Sequence, residues 1–300
     1  MDETGSTNAD LLAEVERGEA VDRTVLITGH QTAGRGRLDR RWDAPPGSNL
    51  LMSILFTDPP AAPAVLTQMV GIAAVEAISA LMGPSEVAAS EGPSVSSSAD
   101  DAGSAADAGS ASAGQGGNGH GNGEHGNGEH GNGEHGKGEQ GSGEIGSDGR
   151  TSDGPGSERR LLPALKWPND VLVGDRKLAG VLAQRAATGE VVVGCGLNVG
   201  WAPDGAASLR SDLGLDVDAR RVADAMLRVI DGLSAADVAA RYRRHLATLG
   251  RRVRVELPGD RVLVGTAVDV DPDGRLVVED DPGTERHVLD VGDVVHLRPA

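Results

Sequence analysis

The sequence predicts an α+β domain of catalytic size followed by a small β-barrel, and three observations carry that reading. Up to about residue 249, helical-period apolar runs are interleaved with short continuous apolar stretches of strand length. After Gly250 the pattern becomes short alternating runs separated by PGD, DPDG and DPGTE turns. Between the second helix and the later strands lies a segment, residues 84–158, whose composition suits neither pattern.

Taken in order, STN is followed by Leu11, Leu12 and Val15 at helical spacing, and Thr7 with Asp10 three residues later resembles a helix capping box. TVLIT (24–28) and NLLMSILF (49–56) are expected to be buried strands. Val65 to Leu81 is a second helix, with Val70, Ala73, Ala74 and Ala77 at helical spacing. DVLV (170–173) and EVVVGCGLNV (190–199) supply further strands, and 219–249 supplies one or two amphipathic helices. RVRVEL, VLVGTAVDV, RLVVED and VVHLRP are the strands of the terminal barrel.

Residues 84–158 hold 21 of the 44 glycines, no aromatic residue, and a pentad GNGEH at 121, 126 and 131 that decays to GKGEQ and GSGEI. Such a stretch has too little apolar surface to offset chain entropy, so it is expected to be a disordered insertion projecting from the surface. Closure entropy grows only logarithmically with loop length, and deleting the segment is expected to leave activity intact. His120, His125, His130 and His135 could hold a divalent metal, but a solvated repeat is the simpler reading.

Composition excludes several classes. At 300 residues, 38% hydrophobic and 24% charged, the chain is in the soluble globular range. No stretch approaches roughly 20 uninterrupted apolar residues, and MDETGSTNAD is not a signal peptide, so a cytoplasmic protein without membrane contact is expected. A lone Cys195 can close no intrachain disulfide and is most simply a packing residue. The net charge of -17 argues against nucleic-acid binding, although the insertion's 13 acidic and 2 basic residues supply -11 of it.

The chemistry is concentrated in three places. In GHQTAGRGRLDRRW, Arg35, Arg37, Arg40 and Arg41 repel one another and offer planar donors suited to phosphate or carboxylate. Gly34 and Gly36 permit close backbone approach, and Trp42 can stack on a base or cover a pocket. In LKWPNDVLVGDRKLAG, Pro168 forces Trp167 into an extended conformation, presenting Lys166, Asn169 and Asp170. A hairpin through VGDRK brings Lys177 close to Asp170, and these groups with the arginine loop suit a phosphorylated or adenylated acid. In VVVGCGLNVG the glycine spacing is not GxGxxG, so close approach of a flat ligand or another backbone is favoured over a Rossmann site. The STN segment, at a helix N-terminus, also has free amides and hydroxyls for polar ligand groups.

STN, QTAGRGRLDRRW, GSNLLMS, KWPND, RKLAG and GCGLNV, in that order, resemble the biotin protein ligase family over nearly all of residues 4–200 outside the insertion. The terminal β segment resembles that family's small SH3-like domain. The resemblance implies a class II aminoacyl-tRNA synthetase-like catalytic domain with a mixed sheet over residues 1–249, interrupted at 84–158, and an SH3-like domain over 250–300. It implies ATP and biotin as substrates, Mg²⁺, and transfer of biotin through biotinyl-5′-AMP to a lysine of a biotin carboxyl carrier domain of an acyl-CoA carboxylase.

By the same resemblance, Ser6, Thr7, Asn8 and Gln31 hold the biotin ureido and neighbouring groups, and Arg35, Gly36 and Arg37 close over biotin and its adenylate. Lys177 meets the carboxylate and α-phosphate; Arg40 holds phosphates, Trp42 stacks on adenine, and Lys166 and Asn169 border the nucleotide. Asp170 supports the reacting centre or its Mg²⁺, and Gly180 and Gly196 leave room for the biotin rings. Lys177, Arg37 and Asp170 are the implied catalytic set. No helix-turn-helix precedes STN, so repressor activity is not expected, and the usual upstream β-strand is missing, which implies an absent sheet edge or a misassigned start. The assembly is a monomer or homodimer. A lipoate or octanoate ligase and an inactive nucleotide- or acceptor-binding module are the alternatives.

Overall fold

The computed structural model describes residues 1–19, 21–62, 64–83, 161–281 and 283–297, all of which fall in one compact unit. The insertion at 84–158, with its histidine repeat, lies outside the described residues.

A six-stranded sheet runs in the order β1 (Val25–Thr28), β2 (Leu50–Phe56), β6 (Val191–Leu197), β5 (Arg176–Arg185), β4 (Asp170–Val173) and β3 (Pro163–Lys166). Each of these neighbours pairs antiparallel; parallel pairing is confined to the isolated bridges Thr4–Gln31 and Leu165–Leu246. The expected mixed sheet is thus mixed only at its margins.

β2 and β6 are continuous apolar runs because both of their faces are covered. Strand alternation sends Leu50, Met52, Ile54 and Phe56 into the main core with α2 (Ala64–Met82), while Leu55 and Val192 pack with Leu11 and Val15 of α1 (Thr7–Glu16). α2 is long and apolar enough to span a bilayer, contrary to the reading from uninterrupted runs. Its residues Ile72, Ala73 and Ala74 are fully buried here, so this apolarity serves a core helix.

The 219–249 region divides into α4 (Ala219–Asp231) and α5 (Ala235–His245), separated at Gly232. Asp218 caps α4 by accepting from the Arg221 amide at 2.7 Å. The short α3 (Leu209–Leu213), β3 and the extended β5 were not separated in the sequence reading.

The terminal sheet runs β10 (Arg286–Leu289), β9 (Leu276–Asp280), β8 (Arg261–Val270), β7 (Arg252–Leu257) and β11 (Asp293–His296), antiparallel throughout. Of its five strands only β10 was missed, since RHVL has two polar residues in four. This sheet is joined to the catalytic sheet by the buried Trp167, whose indole Nε1 donates to the Gly274 carbonyl at 2.9 Å and whose amide donates to Thr248 Oγ1 at 3.1 Å. The Trp167–Pro168 peptide is cis.

Candidate functional site

One cavity of about 340 Å³ opens on the α1 side of the catalytic sheet. It is lined by every residue that the sequence assigned to a site except Lys166. Lys166 instead ends the edge strand β3, where its charge acts on His296 of the terminal sheet.

The cavity floor follows from strand alternation. In β5 and β6, Gly180 pairs with Gly196 and Leu182 with Gly194, so a bare strip of backbone faces the cavity. A Cβ on Gly194 would lie 2.3 Å from Asn8 Oδ1, and one on Gly196 would lie 2.5 Å from the Trp42 ring. Lys177 and Gly180 are three residues apart, which in a regular strand puts them on opposite faces. The register shifts there: Val171 pairs with Ala179 and Leu172 with Lys177, leaving Leu178 as a bulge. Leu178 and Ala179 both turn into the core, and Lys177 shares the cavity with Gly180.

One end of the cavity is a hydrogen-bonded cluster of neutral groups. Gln31 Oε1 accepts from the Thr7 amide at 2.8 Å and from Thr7 Oγ1 at 2.9 Å. Ser53 Oγ lies 2.7 Å from Thr7 Oγ1 and donates to Asn8 Oδ1 at 2.6 Å, while Asn8 Nδ2 donates to Gln184 Oε1 at 2.8 Å. Ser6, Thr7, Asn8 and Ser53 are all buried. The expected capping box does not form: Ser6 is the N-cap without a side-chain bond, and the Asp10 carboxylate is taken by the Thr4 hydroxyl. Thr7 is oriented by Gln31 and Ser53 instead. Ser53 and Gln184 were not foreseen; their alternation in β2 and β5 onto the face of Gly194 was the available signal.

The other end is charged. Lys177 Nζ pairs with Asp170 Oδ1 at 2.6 Å, as the hairpin through Gly174 requires. The Trp42 indole rests over Gly196 and Gly180, with Lys177 Nζ 5.8 Å from its ring centre, and the indole Nε1 is buried without a partner among the described residues. The indole therefore lies in the space that Gly180 and Gly196 were expected to leave for a flat ring. Arg37 donates to Asn169 Oδ1 at 3.3 Å and to the Gly292 carbonyl at 3.2 Å, and Arg40 pairs with Asp293. Burial lowers the Arg37 pKa from its ordinary value, against the raising influence of Asp293 and Asp170. Leu38, between the two arginines, is held at φ 54° and is 70% exposed, a strained conformation for a side chain of this type.

Tyr242 is buried, and its hydroxyl pKa is raised by burial and by the Asp170 charge, so the hydroxyl stays protonated. Cys195 is packed in the buried core cluster, and burial pushes its thiol up to about 12. Asn49 and Asn198, each 2% exposed, bond each other at 3.1 Å, and Asn49 Oδ1 receives the Val199 amide, fixing the end of β6. Among the described residues no three His, Cys, Asp or Glu side chains are grouped to hold a metal.

A backbone-floored slot with fixed amides and hydroxyls at one end and Lys177, Arg37 and Arg40 at the other is chemically suited to a flat polar molecule carrying an acid, beside a phosphate-bearing one. Comparison with known proteins gives the class a family. Residues 248–297 match the biotin protein ligase C-terminal domain, and residues 153–198 match the biotin/lipoate A/B protein ligase family. The chain is 33% identical to biotin-[acetyl-CoA-carboxylase] ligase of Mycobacterium tuberculosis over 99% of its own length and 87% of that protein's. It is 22% identical to the bifunctional ligase/repressor BirA of Escherichia coli over 94% of its length and 68% of the relative's. The solved biotin protein ligase of Aquifex aeolicus in complex with biotin and ATP shares its fold, with a TM-score of 0.64 at 18% identity, covering 99% of this chain and 97% of that one. The chain belongs to the biotin protein ligase family.

Proposed function

We propose that the chain joins biotin to ATP, releasing pyrophosphate and forming biotinyl-5′-AMP, and then passes the biotinyl group to one lysine of a biotin carboxyl carrier domain of an acyl-CoA carboxylase. The observation that carries this is the convergence of Lys177, Asp170, Arg37 and Trp42 on the paired glycines Gly180 and Gly196.

In the first step a carboxylate oxygen of biotin attacks the α-phosphorus and the bond to pyrophosphate breaks. Lys177 and Arg37 neutralise the charge that accumulates there, and the Ser6, Thr7, Asn8 and Gln31 cluster orients the ureido ring so that the carboxylate reaches Lys177. Arg35 and Gly36 complete the loop over biotin; Arg40 takes the outer phosphates, Asn169 borders the nucleotide, and Trp42 leaves the glycine floor to stack on adenine. In the second step the acceptor's lysine amine attacks the acyl carbon and AMP leaves, with Asp170 orienting that amine. The carboxylates lining the cavity, Asp170 and Asp293, are paired with Lys177 and Arg40, so Mg²⁺ would be held chiefly by the nucleotide phosphates and would supply charge neutralisation there.

The same proposal divides the protein at 249/250, with the antiparallel catalytic sheet taken as class II synthetase-like and the five-stranded terminal sheet as SH3-like. It places the protein in the cytoplasm, which agrees with a buried, unreactive Cys195 and a core-packed α2.

The test is the mass of an acyl-CoA carboxylase acceptor domain after incubation with the protein, biotin and MgATP. One added biotinyl group is expected, with the rate in Lys177→Ala at least about 100-fold lower. The matched family also covers lipoate ligases, so lipoate and octanoate are run in parallel. Transfer of either in place of biotin would overturn the substrate assignment.

A further inference from the structure

The two arginines at the charged end of the cavity are stored differently. The described acceptors of Arg37 are neutral, the Asn169 side chain and the Gly292 carbonyl. Arg40 pairs with a carboxylate, Asp293, from a residue 253 positions away on the terminal sheet. Gly292 ends the turn that leads into β11 and Asp293 is the first residue of that strand, where it lines the cavity. That turn is seated against β7: a Cβ on Gly292 would lie 2.7 Å from Val255 Cγ1, so glycine lets the backbone approach and aim its carbonyl at the loop. Asp293 pairs with Glu256 in the β11–β7 ladder, which fixes where its carboxylate emerges.

An anion that takes Arg40 has to displace this carboxylate and then lie beside it, so Asp293 opposes anion binding both by competition and by repulsion. The same carboxylate offsets the charge that Arg40 adds beside the other loop arginines. We propose that Asp293 is a stand-in anion supplied by the terminal sheet: it holds Arg40 until a nucleotide phosphate replaces it, and so sets the affinity for the polyphosphate. It is a positioning residue, acting through Arg40. The inference rests on the proposed ligase reading, which makes the incoming anion the triphosphate of ATP.

The test is pyrophosphate release at saturating biotin over a range of MgATP, for the wild type, Asp293→Asn, Asp293→Glu, Arg40→Ala and the Arg40→Ala/Asp293→Asn double variant. Asp293→Asn is expected to lower KM for ATP about two- to five-fold, the return from relieving one partly exposed ion pair, without a matching change in KM for biotin. Asp293→Glu keeps the wild-type KM, and the fall disappears in the Arg40→Ala background. An unchanged or raised KM for ATP in Asp293→Asn, or a fall of equal size without Arg40, overturns the proposal. Asp293→Ser replaces Asp293→Asn if thermal unfolding shows that the latter does not fold. If the wild type releases no pyrophosphate, the ligase reading fails instead. ATP affinity by calorimetry in the same variants then decides the carboxylate-for-phosphate exchange by itself.

Discussion

The polar groups bordering the cavity floor and those of the arginine loop above it are held on different terms. The floor is β-sheet, and the buried polar groups that border it bond one another across β2, β5 and α1: Ser53 to Thr7 and Asn8, Asn8 to Gln184, and Gln31 to Thr7. The loop has the short 3-10 turn Arg37–Asp39, the isolated Arg35–Arg41 bridge and a strained Leu38, and its Arg40 and Arg37 reach Asp293 and the Gly292 carbonyl, 253 and 255 positions away, with Arg37 also bonded to Asn169. A site that selects one ligand by shape needs fixed donors; one that must admit a ligand and then cover it needs contacts that can be exchanged. The floor is therefore expected to answer perturbation with lost affinity or stability, and the loop with altered exchange rates.

Gly196→Ala tests the floor most severely. Its Cβ would enter the space now held by Trp42, so biotin affinity should fall about 10- to 100-fold by titration calorimetry, the usual cost of overpacking a closed surface. Near-normal affinity would show that the floor is not the ring seat. Arg37→Ala tests the loop: biotinyl-5′-AMP should dissociate about ten-fold faster in stopped-flow exchange, because charged hydrogen bonds across the closed loop are gone, while the unfolding midpoint stays near wild type. An unchanged adenylate off-rate would count against loop closure. Ser53→Ala should show the reverse, a loss of about 1 kcal/mol in denaturant unfolding from Asn8 Oδ1 left without its donor, and an adenylate off-rate that does not change.

A pH-dependent effect lies at the junction of the two sheets. Burial, helped by the charges of Arg251 and Lys166, lowers the pKa of His296 from 6.5 to about 4. As pH falls the unfolded chain binds this proton first, so the stabilisation is complete above about 6.5 and is lost between there and about 4. The thermal midpoint should decline through that window, and His296→Gln should flatten the decline. A decline of the same size in the variant would remove His296 as its source.

Much of this site was legible in the chain because motif residues and short-range periodicity record it locally. The bare glycines, the arginine cluster and the Asp170–Lys177 hairpin follow from strand alternation and a tight turn, and the structure brings all three to one cavity. Lys166 does not line that cavity: a strand-end lysine can turn toward either sheet, and here its charge bears on His296. The capping box failed for a similar reason: Thr7 has better partners in Gln31 and Ser53 than its own helix provides.

The sequence by itself determined the order of elements, the turn to a β-rich terminal sheet, and the residue types of the site, since these depend on periodicities of two and 3.6 residues and on turn chemistry. Only tertiary structure decided that Gly180 shares the face of Lys177 and Asp170, because a bulge at Leu178 shifts the register and no local pattern announces it. Only tertiary structure, likewise, put the Gly292 carbonyl and the Asp293 carboxylate on the arginine loop. Their place depends on how β11 packs against β7 and how the terminal sheet meets Trp167, which are pairings between residues distant in the chain.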